Sequence, residues 1–159
     1  MNAWKTLVVG SALLLAAPWA LAAQPASDSA AGTWKLDLAK STFGSGSPPK
    51  SEMRTYTVTP RGTHVVIETE DAKGQKSKNE TLLTYDGKPQ VLKGNPDYDT
   101  VTTTRIDANE THADMIRQGK IIGSLRRLVS PDGQTMTINV KTNRADGTTE
   151  TAMSVYERQ

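Results

Sequence analysis

The residues able to do chemistry in this chain are few and scattered. His64 and His112 are its only histidines, and there is no cysteine. A metal or haem centre needs convergent His, Cys or carboxylate ligands. Each histidine instead stands in an alternating stretch, His64 opposite Val65 and Ile67 and His112 opposite Met115, so both are expected on the solvent face. Asp97, Asp99 and Glu110 are the carboxylates that could converge as an acid–base group, but their spacing does not require it. Threonine is abundant, yet β-propensity explains threonine in strands without catalysis. No G-x-S-x-G elbow and no phosphate-cradling glycine loop occurs. Catalysis has the least support of the function classes weighed here, and neither a cofactor nor a metal is expected.

The elements that must position these side chains are strands. Turn signals recur along the chain: Arg61-Gly62, Lys73-Gly74, Asp86-Gly87, Asp107-Ala108-Asn109, Gln118-Gly119, Asp132-Gly133 and Asp146-Gly147. Gly and Asn supply the positive φ of tight hairpins, and Asp caps its own turn. Between the turns the period is two. Met136, Ile138 and Val140 alternate with Thr135, Thr137, Asn139 and Lys141, and Gly123, Leu125, Arg127 and Val129 share one face of another segment. Branched residues suit a pleated surface and disfavour helix. The pattern predicts ten strands, near 32–38, 52–60, 63–70, 76–85, 88–93, 98–106, 110–117, 120–129, 134–143 and 148–157. Short hairpin connections make closure into an up-and-down antiparallel β-barrel the expected all-β architecture, because closure removes exposed edges. An open sandwich is the alternative.

The ends of the chain bear on location and partners. Lys5, the apolar run Leu7 to Ala17 and the small-x-small pattern at Ala20-Leu21-Ala22 predict a signal peptide over 1–22, cleaved near Ala22. The run is shorter than the roughly 20 residues that span a bilayer. Export to the periplasm or outside the cell, with no integral membrane anchor after cleavage, is the expectation. Residues 23–31 read as a disordered lead, and 32–159 as one barrel domain. Acidic and basic residues nearly balance, 17 against 19, so no nucleic-acid partner is expected. Without cysteine there is no disulfide, and the fold must hold by burial and backbone pairing.

Gly32-Thr33-Trp34-Lys35-Leu36 resembles the first strand of the calycins, the lipocalin and fatty-acid-binding-protein superfamily. Val155-Tyr156-Glu157-Arg158 is similar to the last strand of the fatty-acid-binding proteins, and the ten-strand count also matches that branch. The resemblance implies a barrel that holds a ligand inside, with Trp34 across one end and Tyr156 facing inward. Trp34, Leu36 and Leu38 would then plug that end, and the Gly/Ser/Pro stretch from Ala39 to Ser51 would cross an end in place of the family's helical lid. The family grips a carboxylate with an Arg-x-Tyr pair on the last strand. Here the matching positions are Ser154 and Tyr156, so a substitute cation is sought in Arg54, Arg105 or Arg127.

The interior should be less apolar than a fatty-acid pocket, since the only Phe, Phe43, sits in the loop. A small or partly filled cavity with polar contacts is expected. The reading is a non-catalytic barrel for a small amphipathic or hydrophobic ligand, with Trp34, Arg54, Tyr56, Arg105, Arg127 and Tyr156 as candidate binding residues. The alternative is an envelope protein-interaction or inhibitor module that uses its loops at 41–51 and 93–99 on a rigid barrel scaffold. Lys93 to Asp99 (KGNPDYD) is the most individual of these, either a contact loop or a long hairpin whose Tyr98 packs on the barrel end.

Overall fold

The computed structural model describes residues 28–92, 97–144 and 146–159. The signal peptide, the first part of the lead and residues 93–96 of the KGNPDYD stretch lie outside the described residues. Ten antiparallel strands follow one another: β1 (Gly32–Thr42), β2 (Ser51–Thr59), β3 (Gly62–Glu70), β4 (Lys76–Leu83), β5 (Asp86–Val91), β6 (Thr100–Arg105), β7 (Glu110–Arg117), β8 (Lys120–Val129), β9 (Thr135–Asn143) and β10 (Thr149–Arg158). Among the described residues there is no helix.

The strands form one sheet in the order β4-β3-β2-β1-β10-β9-β8-β7-β6-β5. The first and last strands pair, with Trp34 opposite Arg158 and Leu36 opposite Tyr156. The meander therefore curls into a nearly closed barrel. Its seam falls between β4 and β5, which touch only sparsely and share no ladder. Two features set the seam there. Pro89 deprives β5 of a backbone donor, and the β5–β6 register shifts between Asp86 and Pro89. The connecting turn also takes Tyr85 into the left-handed region at φ 59°, costly for a residue with a bulky side chain.

An up-and-down meander sends its hairpins alternately to the two ends. One end carries the described segments 43–50, 71–75, 97–99, 118–119 and 146–148, here the loop end. The other carries the turns at 60–61, 84–85, 106–109 and 130–134 together with both described termini. At this second end Trp34 is fully buried, packed with Ala30, Tyr56, Val129, Met136 and Tyr156. Burying so large a ring contributes roughly 3 kcal/mol. The Trp34 indole N–H donates to Ala30 O at 2.7 Å. Arg158 lies over the ring at 4.2 Å and donates to the carbonyls of Ala31, Ser29 and Gly133 at 2.6, 2.7 and 2.5 Å. One guanidinium thus ties the chain start, the β8–β9 turn and the tryptophan together.

Two sequence expectations need correction. Asp28 to Ala31, assigned to the disordered lead, form a plug: Asp28 and Ala30 are 4% and 0% exposed. Leu38 does not join Trp34 and Leu36 inside but is 41% exposed. The cause is a bulge. The β1–β10 register jumps between Asp37 and Thr42, and the Asp37 carboxylate caps the N–H groups of Ala39 and Lys40. Period-two reading fails beyond such a point. On β10, Tyr156 faces inward and is 1% exposed. Val155 on the opposite face is also buried, beside the bulge, where Ser41 Oγ accepts its N–H.

The Gly/Ser/Pro segment lies at the loop end and is held to the β9–β10 hairpin. Ser45 N–H donates to Glu150, Arg144 donates to Ser45 Oγ and Glu150, and Phe43 packs on the core cluster.

Candidate functional site

The barrel interior holds a cavity of about 110 Å³. Its apolar wall comes from positions on six strands, namely Ile67, Leu83, Val101, Ala113, Leu125 and Ile138. The polar lining includes Arg54 and Tyr56 on β2, Thr103 on β6 and Arg127 on β8. Tyr98, half-buried just before β6, also lines it. The cavity touches both sides of the seam, since Asn79, Thr81 and Leu83 belong to β4 and Leu92 follows β5.

Two buried ionic networks flank this space. The first centres on Asp28. Its carboxylate accepts from Arg127 Nη2 at 2.7 Å, Tyr85 Oη at 2.5 Å, Thr63 Oγ1 at 2.9 Å and Ala30 N at 3.1 Å, with Arg105 Nη2 at 3.4 Å. Burial alone would push the Asp28 carboxyl up, but Arg127 and these hydrogen bonds outweigh it and hold it below its ordinary value. Arg127, itself buried, lies 5.0 Å above the Tyr56 ring, and Arg105 lies 4.2 Å above Tyr85. A guanidinium over an aromatic face gains attraction that grows as water is excluded.

The second network joins Glu52, Arg54, Tyr156 and Thr69. Arg54 Nε donates to Glu52 at 2.6 Å and Tyr156 Oη donates to it at 2.7 Å, while Thr69 Oγ1 donates at 3.4 Å. Arg54 stands 5.1 Å above the Tyr156 ring. Burial opposes ionisation of Glu52, yet Arg54 and the two hydroxyls keep its carboxyl below the ordinary value. Burial lifts the Tyr156 phenol well above its usual value, with the Glu52 charge adding to the rise.

Of the six candidate binding residues, Arg54, Tyr56 and Arg127 line the cavity together. Trp34 stays in the end plug, Tyr156 stands behind Arg54, and Arg105 sits nearer the outer rim beside Val58 and Pro60. The interior is small and mixed in polarity, as its composition implied. Asp28, Glu52, Tyr85 and Thr103 were missed by the sequence. No local signal marks them: Asp28 and Tyr85 meet only across the folded barrel, Glu52 pairs with nearby Arg54 but also takes Tyr156 from 104 positions away, and Thr103 matters only as a residue lining the cavity. Arg158 had a signal, the Val-Tyr-Glu-Arg ending, but its bonds to three carbonyls need the folded end.

The remaining chemistry-bearing residues do not assemble. His64 and His112 face outward beside Glu80 and Asp114, with five strands between β3 and β7 in the sheet order. Asp99 N–H donates to Ile116 O at one end of β7, whereas Glu110 starts that strand and is held by Arg126. Six strand positions separate those two ends, about 20 Å. Among the described residues no group of three or more His, Asp or Glu could hold a metal ion.

No protein-family model and no curated protein matches the sequence. Solved structures do match the coordinates. The ileal bile acid-binding protein of zebrafish, crystallised with cholic acid, aligns with a TM-score of 0.55 at 8% identity, covering 83% of this chain and all of that one. The siderocalin Ex-FABP, described as having dual ligand specificities, aligns with a TM-score of 0.38 at 15% identity, over 83% of this chain and 75% of that one. The pairing of β1 with β10, the buried Trp34 and the first of these alignments converge on one architecture: the chain has the calycin-like fold of lipocalins and fatty-acid-binding proteins.

Proposed function

We propose that this protein is a non-catalytic binding protein, exported by its leader to the periplasm or the exterior, that holds a small amphipathic or hydrophobic molecule inside its barrel. One observation carries the reading: a continuous apolar wall faces a few fixed polar groups around an internal space that reaches the β4–β5 seam. Ligand sites are commonly concave, mostly apolar and furnished with a few oriented polar groups. The neighbour that shares the fold was crystallised with cholic acid, which supports an amphipathic occupant of the barrel without fixing its head group.

Size limits the occupant. A volume of about 110 Å³ is below the roughly 300–1,000 Å³ of drug-sized pockets. It is close to the ~150 Å³ engineered cavity that takes up benzene. A small or slender molecule enters at modest cost, and anything broader has to part β4 from β5, the one boundary without a ladder.

Native mass spectrometry of the protein recovered from its own cells should show a non-covalent adduct. The neutral dye N-phenyl-1-naphthylamine should gain fluorescence with the protein, and Ala113→Phe, which places a ring in the cavity, should abolish that gain. Absence of both adduct and cavity-dependent fluorescence would refute a binding role.

A further inference from the structure

We infer that the cavity selects an uncharged head group bearing a hydrogen-bond acceptor, such as an amide, ketone or ester carbonyl, and discriminates against a free carboxylate. This rests on the binding role proposed above and names the class of molecule that the same site takes.

The argument begins with charge. The two arginines that line the cavity are the groups a carboxylate ligand would seek, and each already holds a carboxylate of the protein. Arg127 pairs with Asp28 at 2.7 Å, and Arg54 pairs with Glu52 at 2.6 Å. The acidic side chains are as deeply placed as the cations, with side-chain exposures of 0% for Asp28 and 14% for Glu52. A ligand carboxylate would shed its hydration, several kcal/mol for a buried ion. It would then meet cations whose field is already neutralised, with Asp28 and Glu52 just beyond them.

Hydrogen bonding points to what the cavity does accept. Two buried polar atoms have no partner among the described residues, Arg127 Nε and Thr103 Oγ1. Both residues are 2% exposed, and both line the cavity. Buried polar groups are almost always paired, and leaving one unpaired costs about 1–3 kcal/mol. The Nε–H can only donate; the hydroxyl can donate or accept. A neutral carbonyl oxygen satisfies the Nε–H or the hydroxyl while bringing no charge into an interior already paired. Ile67, Leu125 and Ile138 supply the apolar surface for the remainder of such a molecule.

The test compares octanamide with octanoate at pH 7 by displacement of N-phenyl-1-naphthylamine from the full-length mature protein. Octanamide should bind at least tenfold more tightly. Equal or tighter binding of octanoate overturns the head-group inference and leaves the binding role standing. Dye binding that neither compound displaces also overturns the inference alone. Failure of the dye to bind, together with absence of a native adduct, removes both readings. Asp28→Asn supplies the converse arm: with its carboxylate neutralised, Arg127 needs an anion, and octanoate should gain at least tenfold relative to octanamide. An unchanged ratio counts against the inference. Should Asp28→Asn not fold, Thr103→Val keeps the volume and deletes the hydroxyl, and should weaken octanamide about five- to tenfold, the worth of one buried hydrogen bond. No change there counts against the inference as well.

Discussion

Asp28→Ala should cost this barrel far more stability than an ordinary substitution near a chain terminus. The Asp28 side chain is fully buried and receives hydrogen bonds from Ala30, Thr63, Tyr85 and Arg127. Removing it strands the Arg127 guanidinium, 3% exposed, with the Tyr85 hydroxyl at 3.5 Å as its remaining hydrogen-bond acceptor among the described residues. Breaking one side of a buried ion pair costs about 3–5 kcal/mol, most of it the uncompensated charge left behind. With a urea m-value of about 2 kcal/mol/M for a domain of this size, the midpoint should fall by roughly 2 M. Trp34 reports the transition, since it is fully buried and is the only tryptophan after residue 22. The second half of the test is Arg127→Met, alone and combined with Asp28→Ala. The double variant should be more stable than the sum of the single losses by about 1–3 kcal/mol, because neither charge is then left alone. A loss below 1 kcal/mol for Asp28→Ala, or additivity within 0.5 kcal/mol, would refute the claim that residues 28–31 plug the barrel through this pair.

Further outcomes follow from the same geometry. Asp28 and Glu52 both have folded carboxyls below their ordinary values of 3.8 and 4.5, so the unfolded chain binds more protons as pH falls; their stabilisation is complete above about pH 4.5 and is lost as pH drops through the lowered values, which urea midpoints measured from pH 6 to pH 2 should show. Burial raises the Tyr85 and Tyr156 phenols above the ordinary 10.0, so a spectrophotometric titration should show a late-ionising component from these two, and that component should vanish in urea. Gly123→Val should destabilise by about 1–3 kcal/mol in thermal unfolding, because a Cβ at Gly123 would stand 2.3 Å from Lys141 O on the neighbouring strand.

How much of this was legible in the sequence depended on whether the physics was local. Hairpin turns are set by neighbouring Gly, Asn and Asp residues, and inward-facing positions by alternation along a strand. The ten strands and the shared face of Leu125 and Arg127 could therefore be read residue by residue, whereas on β10 alternation fits either phase and only the family resemblance turned Tyr156 inward. Leu38 escaped that logic, because three extra positions of β1 accumulate between its pairings with Val155 and Met153. A bulge breaks the alternation without changing composition.

The site itself needed the folded barrel. An aspartate in a Ser-, Ala- and Pro-rich lead looks solvated, and only curling of the sheet brings Thr63, Tyr85, Arg105 and Arg127 around it, 35 to 99 positions away. Arg54, Arg105 and Arg127 are equivalent candidates in one dimension. The register of β2 and β8 turned two of them to the cavity, and β6 left the third at the rim. The amino-acid order by itself determined that this chain becomes strands and which side of most of them avoids water, since both follow from neighbours two to four residues apart. Tertiary structure decided where the ring stays unzipped, which acids neutralise which arginines and which buried polar atoms stay unpaired. Apart from Glu52 and Arg54, two positions apart on β2, those outcomes belong to groups far apart in the chain that come together only in the folded barrel.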